Sequence, residues 1–363
     1  MALESDAAHH RRSPSTCTAS RERACEVGDL SAGRTRAWDG AFWQSLWLVP
    51  GDVIRVVREC FDIAATSASL LPEGLLNQSW RIGAGEETWV LRVSRPERSR
   101  GQVAYEHAVI RDVREEFELV VVPHVGGDGA TVQYQRGRLV SLFPHVHGVS
   151  GAATAPCVRG PLAAKALARL HRIGVRRPDR PQRPGFRSVH ERPRWIWTAV
   201  RPVLVHALAG TTDLADLLAI LDREVAELDA WLDDLATSRR PLVRGLVHGD
   251  FNPRNLLFDD GRLVAVLDWD ECRMDLLAWE VAQVAFAADG LSPRAFWDAY
   301  LDAGGPLGAE DLDLLGEFAR MGALSGVQWA VDHGRAAPHA LDVLRDVANG
   351  LGRLRARANE LGI

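Results

Sequence analysis

The amino-acid sequence predicts an α+β fold in which a small antiparallel-sheet lobe precedes a large, mainly helical lobe. Two short runs rich in apolar and β-branched residues, 77–82 and 87–93, flank Gly83-Ala84-Gly85, a composition typical of a β-hairpin. Beyond His145 the apolar residues recur at helical spacing instead. A chain of this kind should form two lobes, and the cleft between two lobes is a common site for small molecules.

The remaining elements follow from periodicity and from residues that begin or end helices. Val103, Ile110 and Val113 share one face of a helix predicted over 98–116. A helix over 161–172 is expected to carry Pro161 in its first turn and Gly174 just past its end. The Arg- and Pro-rich segment 174–193 is predicted to be a surface loop. The other predicted elements are strands at 130–135 and 138–143 and helices at 212–236, 309–331 and 337–360.

Four segments of different character divide the chain. Residues 1–36 are small and polar without apolar periodicity, which predicts a disordered tail. Residues 37–140 form the predicted N-lobe, 141–148 the hinge, and 149–363 the helical C-lobe.

Composition excludes several classes of protein. A net charge of −5 disfavours nucleic acid as a partner, because phosphate backbones require basic surfaces. No apolar run approaches the length of a membrane span, so no membrane partner is expected. Five widely spaced cysteines without a CxxC pair suggest neither zinc nor a disulfide framework, and predict a cytoplasmic protein. The sequence leaves open whether the protein is a monomer or a homodimer.

Residues 246–270 hold the pattern that points to chemistry. His248-Gly249-Asp250 is followed after four residues by Asn255, the H-x-D-x-x-x-x-N spacing of a kinase catalytic loop. A hairpin follows, with its turn at Asp259-Asp260-Gly261, and Asp268 closes its second strand. The hairpin should bring Asp268 close to Asn255, and the two side chains offer the oxygen ligands that Mg²⁺ prefers. Asp250 can then accept the proton of a substrate hydroxyl.

Two alternatives remain open for this segment. The first is a polar loop beside an ordinary hairpin, in which Asp259 and Asp260 serve only the turn. The second concerns the metal, because Asp270 is another candidate ligand two residues beyond Asp268.

The segment resembles the aminoglycoside phosphotransferase family, which includes homoserine, choline and antibiotic kinases. The matching stretches are HGDFNPRNLLF at 248–258, VLDWDECRMD at 266–275 and AKALARLHRIG at 164–174. The resemblance implies a protein-kinase-like fold, ATP as phosphate donor with GTP as the alternative, and Mg²⁺ as cofactor. It implies that Asp250 is the catalytic base and that Asn255 and Asp268 bind the metal. It also implies that His248 supports the loop and that Asp275 is structural.

On the nucleotide side, Arg92 stands where the family has a lysine that contacts the α- and β-phosphates. The only lysine of the chain is Lys165, far from this strand. Glu106 lies on the apolar stripe of the predicted helix, where a carboxylate is costly unless it is paired, and Arg92 is its natural partner. An exposed strand arginine and a solvent-facing glutamate are the alternatives.

The resemblance also points to further nucleotide contacts. It implies a phosphate loop over 74–79 that ends at Ser79, and adenine recognition by the hinge backbone between Phe143 and Val146, which includes His145.

The acceptor is a small molecule with a hydroxyl group, and its pocket should lie beside Asp250. Candidate walls are Trp195, Trp197, Trp269, Trp279, Trp329 and Asp332, although buried tryptophans more often belong to the core. Three functions fit the pattern. The chain could be an O-phosphotransferase of a natural product, with a role in antibiotic resistance. It could instead be a metabolic kinase of an amino alcohol such as homoserine or choline. The third is a non-catalytic pseudokinase that binds nucleotide, motivated by the missing strand lysine.

Overall fold

The computed structural model describes residues 45–72, 74–186, 193–287, 292–332, 337–359 and 361, apart from the side chains of 330, 332 and 337–340. The tail predicted for residues 1–36 therefore lies outside the described residues. The strands are β1 (Ser67–Leu71), β2 (Gln78–Ala84), β3 (Glu87–Val93), β4 (Gln133–Gln135), β5 (Arg138–Pro144), β6 (Val149–Ser150), β7 (Arg244–Val247), β8 (Leu256–Asp259), β9 (Arg262–Val266) and β10 (Arg273–Leu276). The helices are α1 (Pro50–Phe61), α2 (Arg100–Val113), α3 (Pro156–Val175), α4 (Pro193–Ala207), α5 (Leu214–Thr237), α6 (Leu277–Ala285), α7 (Pro293–Asp302), α8 (Leu314–Asp332) and α9 (Ala337–Asn359).

The first lobe is built on a five-stranded antiparallel sheet of order β1-β2-β3-β5-β4. The predicted β2–β3 hairpin is present, and Gly85 in its turn has a φ of +62°. The β4–β5 hairpin turns through Arg136 and Gly137, both with positive φ, as tight two-residue turns require. The predicted α+β fold with a small antiparallel-sheet lobe and a large helical lobe is confirmed.

Two helices support this sheet. α1 begins with Pro50 and buries Val53, Val57 and Phe61 against the sheet. α2 begins with a capping box, in which Ser99 and Gln102 satisfy each other's backbone N–H groups. The second half of α2 packs into the core of the helical lobe, so this helix joins the two lobes.

The first long helix of the second lobe begins earlier than its sequence suggests. α3 starts at Pro156, which takes the first-turn position expected of Pro161, and Pro161 lies inside the helix. Gly174 is also inside α3 and does not terminate it. A Cβ at Gly174 would collide with the backbone of Leu246 on β7, so glycine permits the close packing of helix and strand. The helix boundary was therefore predicted wrongly because tertiary packing, and not the helix end, requires this glycine.

Other elements agree in part with the prediction. α5 and α9 lie within two residues of the predicted spans. The helix predicted over 309–331 is divided into a single 3₁₀ turn at Ala309–Asp311 and α8. The predicted surface loop 174–193 contains the end of α3 and the start of α4, and its residues 187–192 lie outside the described part.

Two small sheets hold the segment that contains His248, Asp250 and Asn255 in place. β7 pairs antiparallel with β10, and β8 pairs with β9 and β6. The predicted turn of the β8–β9 hairpin is present, with positive φ at Asp260 and Gly261. Consequently the loops 248–255 and 267–272 lie side by side at one end of these strands. No helix among the described residues has the length and apolar character needed to cross a bilayer.

Candidate active site

Asp250 is the third residue beyond the end of β7, and its two carboxylate oxygens are held by different asparagines. The Nδ2 of Asn252 donates to Oδ1 of Asp250 at 2.7 Å, and the Nδ2 of Asn255 donates to Oδ2 at 2.9 Å. The Asp250 side chain is accessible to solvent, yet the surrounding protein removes enough water to raise its pKa. The nearby charge of Asp268 raises this pKa further, while the hydrogen bonds from Asn252 and Asn255 oppose the rise. The result is an oriented carboxylate with enhanced proton affinity.

His248 is fully buried and ties the loop to the neighbouring strand. Its Nδ1 accepts the backbone N–H of Asp250 at 3.2 Å, so Nε2 must carry the proton that is donated to the carbonyl of Leu267 at 3.0 Å. The ring also packs edge-on against Trp269, with centroids 4.8 Å apart. These contacts hold the loop before Asp250 against the loop that contains Asp268.

A second buried anchor, Glu280 on α6, was missed from the sequence. Its Oε2 accepts the backbone N–H of His248 at 3.0 Å and hydrogen-bonds Nε2 of His171 at 2.9 Å. Its Oε1 accepts the backbone N–H of Gly249 at 2.5 Å. Burial opposes ionisation of Glu280, but the hydrogen bond and charge of His171, with further help from His248 and Gly249, hold the pKa below its ordinary value. The only signal in the sequence is an acidic residue within the apolar run 276–286.

The β8–β9 hairpin brings Asn255 next to residue 267, as its turn predicts. The backbone N–H of Leu267 donates to the carbonyl of Asn255 at 2.7 Å. Asp268 follows with a φ of +57° and a ψ of +66°, a left-handed conformation that is uncommon outside glycine. Its side chain is 43% exposed. Backbone strain of this kind is found preferentially at functional sites, and here it turns a carboxylate toward the solvent beside Asp250.

The donor set beside Asp250 suits a hard divalent cation. The Asp268 carboxylate is exposed, and the amide of Asn255 directs its NH₂ group to Asp250, which leaves its carbonyl oxygen available. The described residues contain no group of three or more His, Cys, Asp or Glu side chains arranged around a metal. Mg²⁺ fits this arrangement, because it is commonly held by one or two protein oxygens and completed by phosphates and water.

The structure pairs Arg92 on β3 with Glu106 on α2. The two nitrogens Nη1 and Nη2 of Arg92 donate to the two oxygens of Glu106 at 3.1 and 3.4 Å, and Glu106 is buried. Burial opposes ionisation of Glu106, but the positive charges of Arg92 and Arg98 bring its pKa down to about 2. Arg92 also lies 3.6 Å from Asp268, so one arginine connects the sheet, α2 and the exposed carboxylate.

Asp270, the alternative metal ligand, is buried and already bound. Its carboxylate forms ion pairs with Arg92 and Arg98, and it accepts the side-chain N–H of Asn77 at 3.0 Å. Neither Asn77 nor Arg98 was identified from the sequence, because each lies far along the chain from Asp270. Two basic groups already share the Asp270 carboxylate, so this residue contributes to the contact between the lobes, whereas the carboxylate of Asp268 remains accessible to solvent.

The other proposed nucleotide contacts lie along the sheet and the connector. Ser79 pairs with Arg92 across β2 and β3 and therefore shares its face of the sheet. Phe143 is the penultimate residue of β5. Pro144 has no N–H, and the N–H of His145 donates to the carbonyl of Thr88 at 3.0 Å. The backbone N–H of Val146 is therefore the donor that the adenine ring of a nucleotide at this position would meet.

The candidate aromatic walls divide into core and surface residues. Trp269 is buried against His248 and donates its Nε1–H to the carbonyl of Val266, and Trp197 is also buried. Trp195 on α4 and Trp329 on α8 are exposed, at 58% and 37%. Trp279 is partly buried under Arg273. The side chain of Asp332 lies outside the described residues.

Comparisons with known proteins agree with this geometry. The chain is 43% identical to hygromycin-B 4-O-kinase of Escherichia coli over 60 residues, which is 16% of each chain. It is 31% identical over 175 residues to homoserine kinase of Gluconacetobacter diazotrophicus, which is 46% of this chain and 49% of the relative. The chain thus aligns with less than half of the length of these curated relatives.

Solved structures share the fold. Spectinomycin phosphotransferase, solved with ADP and spectinomycin, superposes with a TM-score of 0.63 over 87% of this chain and 99% of its own, at 11% identity. A microcompartment-associated aminopropanol kinase gives a TM-score of 0.65 over 86% and 98%, at 19% identity. The sequence profile described as "Phosphotransferase enzyme family" matches residues 67–318, about two thirds of the chain. This chain, with its paired loops around Asp250 and Asp268, therefore belongs to the phosphotransferase enzyme family.

Proposed function

We propose that this protein is an ATP-dependent O-phosphotransferase that moves the γ-phosphate to a hydroxyl group of a small molecule. The observation that carries the proposal is the Asp250 carboxylate, held by two asparagines beside the exposed carboxylate of Asp268. A solvated polar loop would not need the buried support that His248 and Glu280 supply. Phosphoryl transfer depends mainly on rigid positioning and on charge stabilisation, and this loop offers both.

The roles of the residues follow from their positions. Asp250 accepts the proton of the acceptor hydroxyl at whichever oxygen lone pair Asn252 and Asn255 leave free. Asn255 and Asp268 would hold Mg²⁺, which supplies charge neutralisation to the phosphates when bound. Arg92, oriented by Glu106, would bind the α- and β-phosphates, with Ser79 on the same face of the sheet. The backbone of residues 143–146 would hydrogen-bond the adenine ring of the nucleotide.

We propose a hydroxylated natural product, such as an antibiotic, as the acceptor, and hence a role in antibiotic resistance. Similarity to hygromycin-B 4-O-kinase supports this class. The exposed Trp195 and Trp329 lie on α4 and α8, which pack together and could present aromatic surface to a ringed substrate.

An amino alcohol is the second candidate acceptor. It is supported by the longer match to homoserine kinase and by the shared fold with aminopropanol kinase. We place the reaction in the cytoplasm, a proposal that rests on free thiols at Cys60, Cys157 and Cys272.

A direct test is mass spectrometry of antibiotics, sugars and amino alcohols after incubation with the protein, Mg²⁺ and either ATP or GTP. A product heavier by one phosphate identifies the acceptor, and the two nucleotides reveal the donor preference. Asp250→Asn is expected to lower turnover about 10²- to 10⁴-fold, the typical contribution of a general base. Binding of nucleotide without any phosphorylated product would instead support a non-catalytic binding protein.

A further inference from the structure

A polar cavity lies in the sheet lobe, apart from the catalytic loop. It has a volume of about 420 Å³ and is bounded by the end of β3, the start of α2 and the β4–β5 turn. Its charged lining residues in the described structure are all arginines, namely Arg95, Arg98, Arg100 and Arg138. Asp250, Asp268 and Arg92 do not line it. A concentration of one sign of charge in a concave surface attracts ligands of the opposite sign.

Arg98 is the most deeply buried member of this set. It is only 5% exposed, and its Nη1 is used by Glu106 and Asp270. Its Nε and Nη2 are buried and have no hydrogen-bond partner in the described residues. Donors without a partner are rare in protein interiors, and leaving one unsatisfied is costly. These two N–H groups belong to a residue that lines the cavity.

The other three arginines leave donor capacity for a ligand. Arg95 is 3.5 Å from Glu271, Arg100 donates to the carbonyl of Val132 at 3.3 Å, and Arg138 lies over the ring of Trp47. Each guanidinium carries five N–H donors, so none of these contacts exhausts it. Burial lowers the pKa of Arg98 to about 10, and the charge of Glu106 only partly opposes this loss of hydration. The cluster thus holds more positive charge than its carboxylate neighbours balance.

We propose that this cavity binds a phosphoryl group, either as inorganic phosphate or as the phosphate of a small monoester. Guanidinium groups match the geometry of phosphate oxygens and bind them in pairs. The first turn of α2 borders the cavity, and its positive end also favours an anion. The volume falls in the range of small-ligand pockets and exceeds what a bare ion needs, so a monoester fits as well as phosphate. This site goes beyond the proposed kinase function and does not depend on it.

The experiment is isothermal titration of the full chain with inorganic phosphate and, separately, with glycerol 3-phosphate, at constant ionic strength. Saturable binding with one site per chain is expected, and the tighter of the two probes distinguishes free phosphate from a monoester. Arg100→Gln and the double variant Arg100→Gln/Arg138→Gln should weaken binding, the double variant by roughly tenfold or more, because each charged hydrogen bond is worth about that factor. The single variant alters an exposed side chain and guards against a folding defect in the double variant.

Arg136→Gln is the matched control, because Arg136 lies in the same turn but outside the cavity and pairs with Asp52 at 2.9 Å. Its affinity for phosphate should remain within about twofold of the wild type, since an exposed pair of this kind contributes little. Equal phosphate affinity in wild type and both cavity variants would overturn the proposal, as would no saturable binding up to about 10 mM. Phosphotransfer by the cavity variants should stay unchanged, so that failure of this site is distinguishable from failure of the kinase function.

Discussion

Replacement of Glu280 by glutamine tests whether a buried carboxylate positions the catalytic loop. Glu280 sits on α6 and accepts two backbone N–H groups of that loop together with a hydrogen bond to His171. Glutamine has the same shape, but one of its oxygens becomes an NH₂ group. If the remaining oxygen stays with His248 and His171, the new NH₂ group faces the N–H of Gly249, and two donors oppose each other.

The magnitude follows from these three hydrogen bonds. An unsatisfied buried N–H at Gly249 costs about 1–3 kcal/mol, and loss of charge from the other two bonds adds roughly 1 kcal/mol each. We therefore expect Glu280→Gln to lower the free energy of unfolding by about 3–5 kcal/mol, which in a chain of this size lowers Tm by roughly 4–7 °C. A displaced loop should also reduce kcat about 100-fold. KM for ATP should change far less, because Arg92 and the hinge do not touch Glu280.

Thermal unfolding and steady-state kinetics on the acceptor found by mass spectrometry measure both effects. Glu118→Gln is the matched control, since the ion pair of Glu118 with Arg169 is exposed, and its loss should change stability by less than about 1 kcal/mol. If Glu280→Gln has the same Tm and the same kcat as the Glu118→Gln control, the Glu280 carboxylate does not position the loop.

Three further variants test other parts of the structure. Asp268→Asn keeps a residue that tolerates the left-handed backbone but removes the negative charge. Calorimetry should show that the binding of Mg²⁺-nucleotide is weakened roughly tenfold. Asp259→Asn, in the same hairpin, is the control and should leave this affinity unchanged. The pKa of Glu106 is about 2 in the folded protein, so its ionisation stabilises the fold above about pH 4.3, and this contribution is lost as the pH falls toward 2. In urea titrations, the stability difference between wild type and Glu106→Gln should therefore shrink from pH 5 to pH 3. A constant difference would contradict the pairing of Glu106 with the arginines. Gly174→Ala should lower stability by about 1–3 kcal/mol through a clash with β7, whereas Gly352→Ala, with open space around its Cβ, should be neutral or stabilising in the same unfolding assay.

Local patterns were enough to predict the parts of this protein that depend on near neighbours in the chain. The spacing from Asp250 to Asn255 and the turn at Gly261 place residue 255 beside residue 267 through a single hairpin. The pairing of Arg92 with Glu106 could also be anticipated, because a carboxylate on an apolar helix stripe needs a partner and the adjacent strand offers one. In each case a period or a turn rule relates residues fewer than about twenty positions apart.

Contacts between distant segments could not be predicted in this way. In the sequence, Glu280 is one acidic residue in an apolar helix. Its role becomes visible only in the tertiary structure, where α6 packs against the loop that contains His248. Asp268 and Asp270 are the same residue type two positions apart, so the sequence alone allows either of them to be a metal ligand. The helix boundary at Pro156 and the close packing at Gly174 likewise depend on what lies against α3.

The sequence by itself determined the fold class and the order of the polar groups along residues 248–268, because these follow from spacing, turns and hydrophobic periodicity, and the resemblance of its motifs indicated the family. Only the tertiary structure decided how each carboxylate is used. The left-handed turn at Asp268 exposes that side chain, while the following turn buries Asp270 between Arg92 and Arg98. The environment of a carboxylate is set by its solvent access and by charged residues from remote segments, and neither can be predicted from the neighbouring residues in the sequence.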